Sequence, residues 1–410
     1  MPDDPTAHQE PPLCVDLDGT LLQTDLLYET LLGLVKHSPA SLLMLPLWLW
    51  KGRAHLKRQL VLRGDVAVDR LPYRGELVAY LRGERERGRR VILVTAAEES
   101  IARRIQQHLP VFGEVIASNG ARNLKGKVKA QLLEERFGKS GFDYAGDSRA
   151  DLAVWRVARH AVVISDSRRF IAAVNSIAPV ETSFAQSAGK FGALIKACRM
   201  HQWAKNVLVF VPILTSHRLT DPRALALGGL AFISFCLLTS SVYVLNDLLD
   251  LEADRAHPTK RHRALASGLI SIPVAGLLGA ILLLAGLGLG VVCGKAFLLF
   301  AGVYLASNLA YSVWFKRVVM LDVVVLACFY TLRLLAGGAA TGIGVSDWLL
   351  AFSVFFFFGL AMVKRYSELR ELAAQGTTAG RGYLRTDLEP IGTFGVASGM
   401  ISVLVLVLYV

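Results

Sequence analysis

From about residue 203 to the end, the chain breaks into seven apolar stretches: 203–217, 224–246, 270–292, 296–315, 318–338, 347–363 and 392–410. A helix needs about 20 apolar residues to cross the hydrocarbon layer of a bilayer. Within that layer every backbone N–H and C=O must be satisfied inside the segment, which restricts such stretches to helices. The second half is therefore expected to be a bundle of membrane-crossing helices, with 203–217 marginal in length. Charged residues crowd the first half instead, so a water-exposed domain is expected to precede the membrane domain.

The net charge of +12 admits nucleic acid as a partner, but no compact nucleic-acid motif is present. The Lys and Arg residues of the second half fall in short clusters between the apolar runs, at Arg255, Lys260, Arg261 and Arg263, at Lys316 and Arg317, and at Lys364, Arg365, Arg370, Arg381 and Arg385. By the positive-inside rule these loops face the cytoplasm, placing the chain in the inner (plasma) membrane with its N-terminal domain on the same side. The loop holding Arg218 and Arg223 fits this pattern less well. The five cysteines are dispersed without a CxxC pair, which argues against a disulfide framework or a zinc site. The leader MPDDPTAHQEPP (residues 1–11 expected as disordered) is polar and Pro-rich, unlike a signal peptide. The run ISVLVLVLYV carries no polar flank, so a chain continuing past Val410 is expected.

Residues 12–174 contain four motifs in order. A short apolar strand ends in Asp16-Leu17-Asp18-Gly19-Thr20, and a second, Val91–Val94, ends in Thr95. The segment NLKGKVKAQLLEERFG offers Lys127 and Lys129, of which Lys129 is preferred because Leu132 and Leu133 follow it. Gly146-Asp147-Ser148-Arg149-Ala150-Asp151 completes the set. The combination resembles the haloacid dehalogenase (HAD) superfamily, which implies an α/β Rossmann-like domain. The resemblance implies Asp16 as nucleophile toward phosphorus and Asp18 as acid and base. It assigns Thr95 and Lys129 to the phosphoryl oxygens, and Mg²⁺ to Asp16, the Asp18 carbonyl and Asp147, with Asp151 nearby. An Asp at position 18 is what the phosphatases of that superfamily carry.

Residues 24–88 are expected as a mostly helical cap over this site. The apolar centre LLMLPLWLW is too short to span a bilayer; it reads as a packed cap core, with membrane-surface contact by Trp48, Trp50, Lys51 and Arg53 as the alternative. Residues 175–192 are small and polar, and serve as the expected linker to a membrane domain over 193–410.

The acidic stretch Asn246-Asp247-Leu248-Leu249-Asp250-Leu251-Glu252-Ala253-Asp254 ends the second apolar run. At 3.6 residues per turn, positions 246/247, 250 and 254 share a helical face. Carboxylates beside a membrane are costly to bury without a positive partner, and such a group suits Mg²⁺ carrying phosphate oxygens. Together with HPTKRHR, this stretch resembles the first acidic motif of the UbiA-type intramembrane prenyltransferases, which implies an all-α bundle and a diphosphate substrate. The expected second DxxxD is replaced by YSVWFKRVVMLD, with Asp322 alone. RMHQWAKN, LRLLAGG and KRYSEL complete a closer resemblance to the decaprenyl-phosphate phosphoribosyltransferase branch. That branch joins phosphoribosyl pyrophosphate (PRPP) to a polyprenyl phosphate. The resemblance implies Mg²⁺ and diphosphate at Asn246, Asp247, Asp250 and Asp254. It puts phosphates on Lys205, Lys260, Arg263, Lys316 and Lys364, and gives Tyr311 and Asp322 a pocket-shaping role.

The expected activity is thus phosphoribose transfer to a lipid phosphate, joined to a phosphatase-like domain. Prenyl transfer to an aromatic acceptor such as 4-hydroxybenzoate is the alternative. An ion pathway through the bundle is disfavoured, because the acids lie at one membrane face rather than mid-bilayer.

Overall fold

The structure, a computed structural model, describes residues 10–119, 124–186, 189–374 and 383–409. Most of the expected leader, Arg381 and Val410 lie outside the described residues. The chain divides into two compact units: 1–197 with 247–276, and 198–246 with 277–410.

In the first unit, six strands form one parallel sheet, β1 (Leu13–Val15), β2 (Val91–Glu98), β3 (Glu114–Ser118), β4 (Asp143–Gly146), β5 (Ala161–Ile164) and β6 (Val180–Phe184), in the order β3-β2-β1-β4-β5-β6. Helices cover both faces, as a parallel sheet requires. Strand alternation divides the core accordingly. Leu13, Val15 and Leu93 pack on one side with Leu21, Leu77 and Ile101. Cys14, Ile92 and Val94 pack on the other with Leu133, Tyr144 and Trp155. Strand β1 lies between β2 and β4, so its carboxyl end opens at the centre of the sheet.

The helical cap expected over 24–88 comprises the helices Leu26–His37, Leu45–Trp50 and Arg53–Arg63, joined by a 3₁₀ turn at Pro39–Met44; the helix Gly75–Glu86 leads back to the sheet. Trp48 is buried against Leu34 and Leu60, giving the cap its own small core. Trp50, by contrast, is exposed.

Two departures concern the segment boundaries. Residues 175–192 were expected as a linker, yet β6 lies inside them and pairs with β5; the strand VETSF alternates in exposure and reads as polar because it is the sheet edge. Residues 247–276, expected as part of the membrane domain, pack with the first unit. Among the contacts that hold them there is a buried ion pair in which Arg255 donates to both carboxylate oxygens of Glu29 at 2.7 and 3.0 Å. Thr24 also donates to Glu29, at 2.7 Å.

Six helices among the described residues are long and apolar enough to cross a membrane: Pro222–Leu249, Ile272–Cys293, Lys295–Val313, Leu321–Thr341, Asp347–Glu371 and Leu388–Tyr409. The stretch 203–217 is not among them. It folds as a 3₁₀ segment, Met200–Phe210, followed by a short helix, Val211–Thr215. Pro212 interrupts the run, and Arg199 takes a positive φ of 49° before it. Lys364, Arg365 and Arg370, expected at the edge of a loop, lie inside the helix Asp347–Ala374.

In the second unit, a buried polar group holds the 3₁₀ segment. Arg333 donates to Asn206 at 2.8 Å and to Tyr304 at 3.3 Å, while Asn206 donates to Thr239 at 3.2 Å. An arginine at such depth needs this saturation by neutral acceptors and aromatic faces. Nearby, a Cβ on Gly337 would lie 2.0 Å from the Val209 carbonyl oxygen. This is the small-residue contact that lets membrane helices approach closely. Gly337→Leu is therefore expected to force the segment off its helix and destabilise the bundle by about 1–3 kcal/mol, seen as a lowered midpoint in detergent thermal-aggregation assays.

Candidate active sites

The carboxyl ends of β1 and β4 place the first site. Asp16 follows β1, and Asp147 follows β4. Asp16, Asp18, Lys129, Asp147 and Asp151 all line one cavity of about 590 Å³. Lys129, buried on the helix Lys127–Phe137, donates to Asp16 at 2.7 Å and to the Tyr144 hydroxyl at 2.9 Å. Lys127, the other candidate, is exposed. Tyr144 in turn donates to Asp151 at 2.9 Å. Asp151 also accepts from the Ser148 hydroxyl at 2.8 Å, which fixes the turn after β4.

Electrostatics follow from burial and crowding. Burial pushes the Asp16 carboxyl up, opposed by Lys129 and helped by Asp151. Burial, with Asp25 next, pushes Asp18 up to about 7. Asp147 is likewise pushed up to about 7, by burial and then by Asp151 and Asp16. Carboxylate oxygens of Asp16, Asp147 and Asp151 lie within 4.8 Å of one another. Three hard oxygen donors so close, each disfavouring the others' charge, fit a divalent cation. Gly19, at φ 77°, is required beside them, because a Cβ there would meet the Asp147 carboxylate at 2.4 Å.

Thr95 is placed differently from the other candidates. It is fully buried, its hydroxyl accepts the Ala97 N–H at 2.9 Å, and its neighbour Ala96 lines the cavity. Two contributors went unassigned in the sequence. Tyr144 links Lys129 to Asp151, and its position in the DYAGD strand gives the only hint. Arg74 is buried and donates to the carbonyls of Thr20 (3.2 Å) and Gly19 (3.3 Å), bracing the loop after β1; nothing in its sequence context marks it.

The acidic stretch is built otherwise than one helical face would give. The helix Pro222–Leu249 stops at Leu249, Asp250 takes φ −93° and ψ 8°, and a new helix runs Leu251–Ala256. Among the described residues, Asp247, Asp250 and Asp254 do not form a group of carboxylates within 4.8 Å. Two of them are joined by a cation instead: Arg263 donates to Asp254 at 2.6 Å and to Asp247 at 3.2 Å. Asp247 and Asp254 are both buried, Asp250 is half-buried and Lys260 is exposed.

In the second unit, Asn246 accepts from the Ser312 hydroxyl at 2.7 Å. Tyr311 packs its ring edge-on against Phe329, 5.9 Å between centroids. Lys205 and Lys316 are half-buried, and Lys364 is exposed, 3.9 Å from Glu368. Asp322 is fully buried, with Arg365 on one carboxylate oxygen and the Tyr383 hydroxyl on the other.

The profile of the UbiA prenyltransferase family matches residues 207–409. A Sinorhizobium fredii protein described as "Uncharacterized protein y4nM" is 41% identical over 402 residues, covering 97% of this chain and 78% of its own. "Nodulation protein NoeC" of Azorhizobium caulinodans is 39% identical over 226 residues, 54% of this chain and 72% of that protein. A "Decaprenyl-phosphate phosphoribosyltransferase" of Corynebacterium glutamicum is 36% identical over 180 residues, 43% of this chain and 54% of that protein. Set beside six membrane-length helices, these matches place residues 207–409 in the UbiA prenyltransferase family, within an integral membrane protein whose N-terminal domain is built on a parallel α/β sheet.

Proposed function

We propose that the membrane half transfers phosphoribose from PRPP to a polyprenyl phosphate, releasing pyrophosphate, and that the HAD-like half hydrolyses a phosphomonoester. The observation that carries the first part is the state of Asp322. With a guanidinium and a phenol on its two oxygens, this lone acid of the second motif is engaged structurally. The second DxxxD that an ordinary prenyl donor's metal-and-diphosphate site uses is reduced in this sequence to that one, already paired, Asp. The remaining acids, Asp247 and Asp254 with Arg263 between them, mix negative and positive charge as a phosphorylated sugar diphosphate requires. The relative from C. glutamicum, by its description, acts on decaprenyl phosphate and supports the same donor and acceptor classes.

Mg²⁺ fits the HAD-like site by donor chemistry, on Asp16, Asp147 and Asp151; at the acidic stretch the ligands proposed for it are Asp247, Asp250 and Asp254, of which Asp247 and Asp254 are paired with Arg263 in this structure. When bound, it offsets charge on phosphoryl oxygens and on departing pyrophosphate. The protein's own groups do the rest. In the transferase, Arg263 and the neighbouring Lys260 are assigned to phosphate oxygens of the donor, as Lys205, Lys316 and Lys364 are by their place in the sequence motifs, and a lipid phosphate oxygen attacks ribose C1 as pyrophosphate leaves. In the HAD-like site, Asp16 attacks phosphorus while Lys129 holds its carboxylate and offsets phosphoryl charge; Asp18 gives a proton to the leaving oxygen and later takes one from water. The basic loops and the HAD-like domain face the cytoplasm by the positive-inside rule.

Membranes containing the protein are incubated with labelled PRPP and polyprenyl phosphate, and in parallel with labelled prenyl diphosphate and 4-hydroxybenzoate. Label is expected to enter the lipid phase from PRPP alone. Label appearing on the aromatic acid would assign the aromatic reaction instead.

A further inference from the structure

The cap has an outer face that its own core does not explain. On the helix Leu45–Trp50 and the 3₁₀ turn before it, Trp48 is buried against Leu34 and Leu60, whereas Leu43, Met44, Leu47 and Trp50 are exposed. Leu43 is 85% exposed and Trp50 83%. Large apolar side chains are rarely left out of contact in such a contiguous run without a partner. The same segment is basic throughout. From Thr30 to Gly64 the chain carries Lys36, Lys51, Arg53, Lys57, Arg58 and Arg63 and no Asp or Glu. Leu and Trp on one face, flanked by cations with no acids, is the composition of an element lying in the interface of an anionic bilayer. The bilayer is always at hand, because the same chain contributes six membrane-length helices.

This surface borders the HAD-like cavity. Leu49, Arg53, Leu56 and Lys57 line the cavity together with Asp16 and Lys129. Lys57 donates to the Ala96 carbonyl at 2.6 Å, which ties the cap to the end of β2. The cavity therefore has a polar floor, where the phosphoryl group belongs, and a wall of mixed leucine and cation that continues to the exposed face.

We infer that the outer face of the cap rests on anionic lipid headgroups, so that the HAD-like cavity takes a phosphomonoester carried on a membrane lipid. The second clause rests on the phosphatase reading above; the first does not. It also narrows that reading, since a lipid-linked phosphoribose is the kind of phosphomonoester the transferase half would supply.

The full chain is placed in phosphatidylglycerol nanodiscs with and without brominated acyl chains, as wild type and as Trp50→Phe. The difference between the two emission spectra reports Trp50. It is expected to be quenched at least about twofold by bromination; a difference spectrum indifferent to bromination overturns the lipid contact. Phosphate release is then followed from a lipid-embedded phosphomonoester and from p-nitrophenyl phosphate. The Leu43→Asp/Trp50→Asp variant is expected to lose at least about tenfold on the lipid ester and to keep its rate on the soluble one. Equal loss on both esters overturns the lipid-linked substrate. Release from neither ester by wild type would sink the phosphatase reading, while the Trp50 quenching still decides the lipid contact.

Discussion

Asp16→Asn is expected to reduce phosphate release by on the order of 10⁴-fold, as removal of a nucleophile does, while transfer of label from PRPP into lipid stays at the wild-type level. The substitution is nearly isosteric, and its neighbours are already fixed by others: Lys129 keeps its bond to Tyr144, and Tyr144 keeps its bond to Asp151. The fold should therefore survive, and the loss should be chemical. Both activities are measured on one preparation, so a loss of protein would lower both. If release persists at more than a few per cent, attack by Asp16 is wrong. Lys129→Met provides an independent check, because it removes the positive charge 2.7 Å from Asp16 and is expected to abolish release as well.

Asp254→Asn should lower phosphoribosyl transfer by about 10²-fold or more and raise the Mg²⁺ concentration needed for half-maximal rate. Asp254 is buried and is bound by Arg263 at 2.6 Å, so its removal leaves that guanidinium with Asp247, at 3.2 Å, as its carboxylate partner among the described residues. Asp322→Asn separates a metal role from a structural one. Asp322 is joined to Arg365 and Tyr383 inside the bundle, so its loss is expected to lower thermal stability and leave the Mg²⁺ requirement unchanged. A shifted Mg²⁺ requirement in Asp322→Asn would return this residue to the metal site and reopen the aromatic reaction. Removal of Mg²⁺ with a chelator is expected to stop transfer in wild type, restored by adding the ion back.

The fold was legible in the sequence wherever a period or motif was long. Bilayer-length apolar runs marked all six spanning helices, and the DxDGT strand with its later partners marked the sheet. What escaped has local physical causes. Residues 203–217 are apolar enough to span, but a 3₁₀ segment gives way at Phe210 to a short helix opened by Pro212, and the positive φ of 56° at His217 follows its end. Strand β6 is too polar to look like a strand, because it is a sheet edge. The acidic stretch read as one helical face, since nothing in NDLLDLEAD announces a break at Asp250. Within the HAD-like site, Asp16, Asp18, Lys129, Asp147 and Asp151 come together from motifs up to 135 residues apart, which is the power of the motif order. Tyr144 and Arg74 could not be found that way, because their roles arise from contacts made after folding.

The pair formed by Glu29 and Arg255 bears on how this protein could be taken apart. Both side chains are at least nine-tenths buried, and each is the other's counter-ion. Separating a buried pair leaves one charge uncompensated, at roughly 3–5 kcal/mol. A fragment starting at residue 193 would keep Arg255, one position from Asp254, and lose Glu29. The joint at residues 175–192 is thus no clean seam: a gene cut there would yield a transferase half whose acidic turn has lost a support held in the other half.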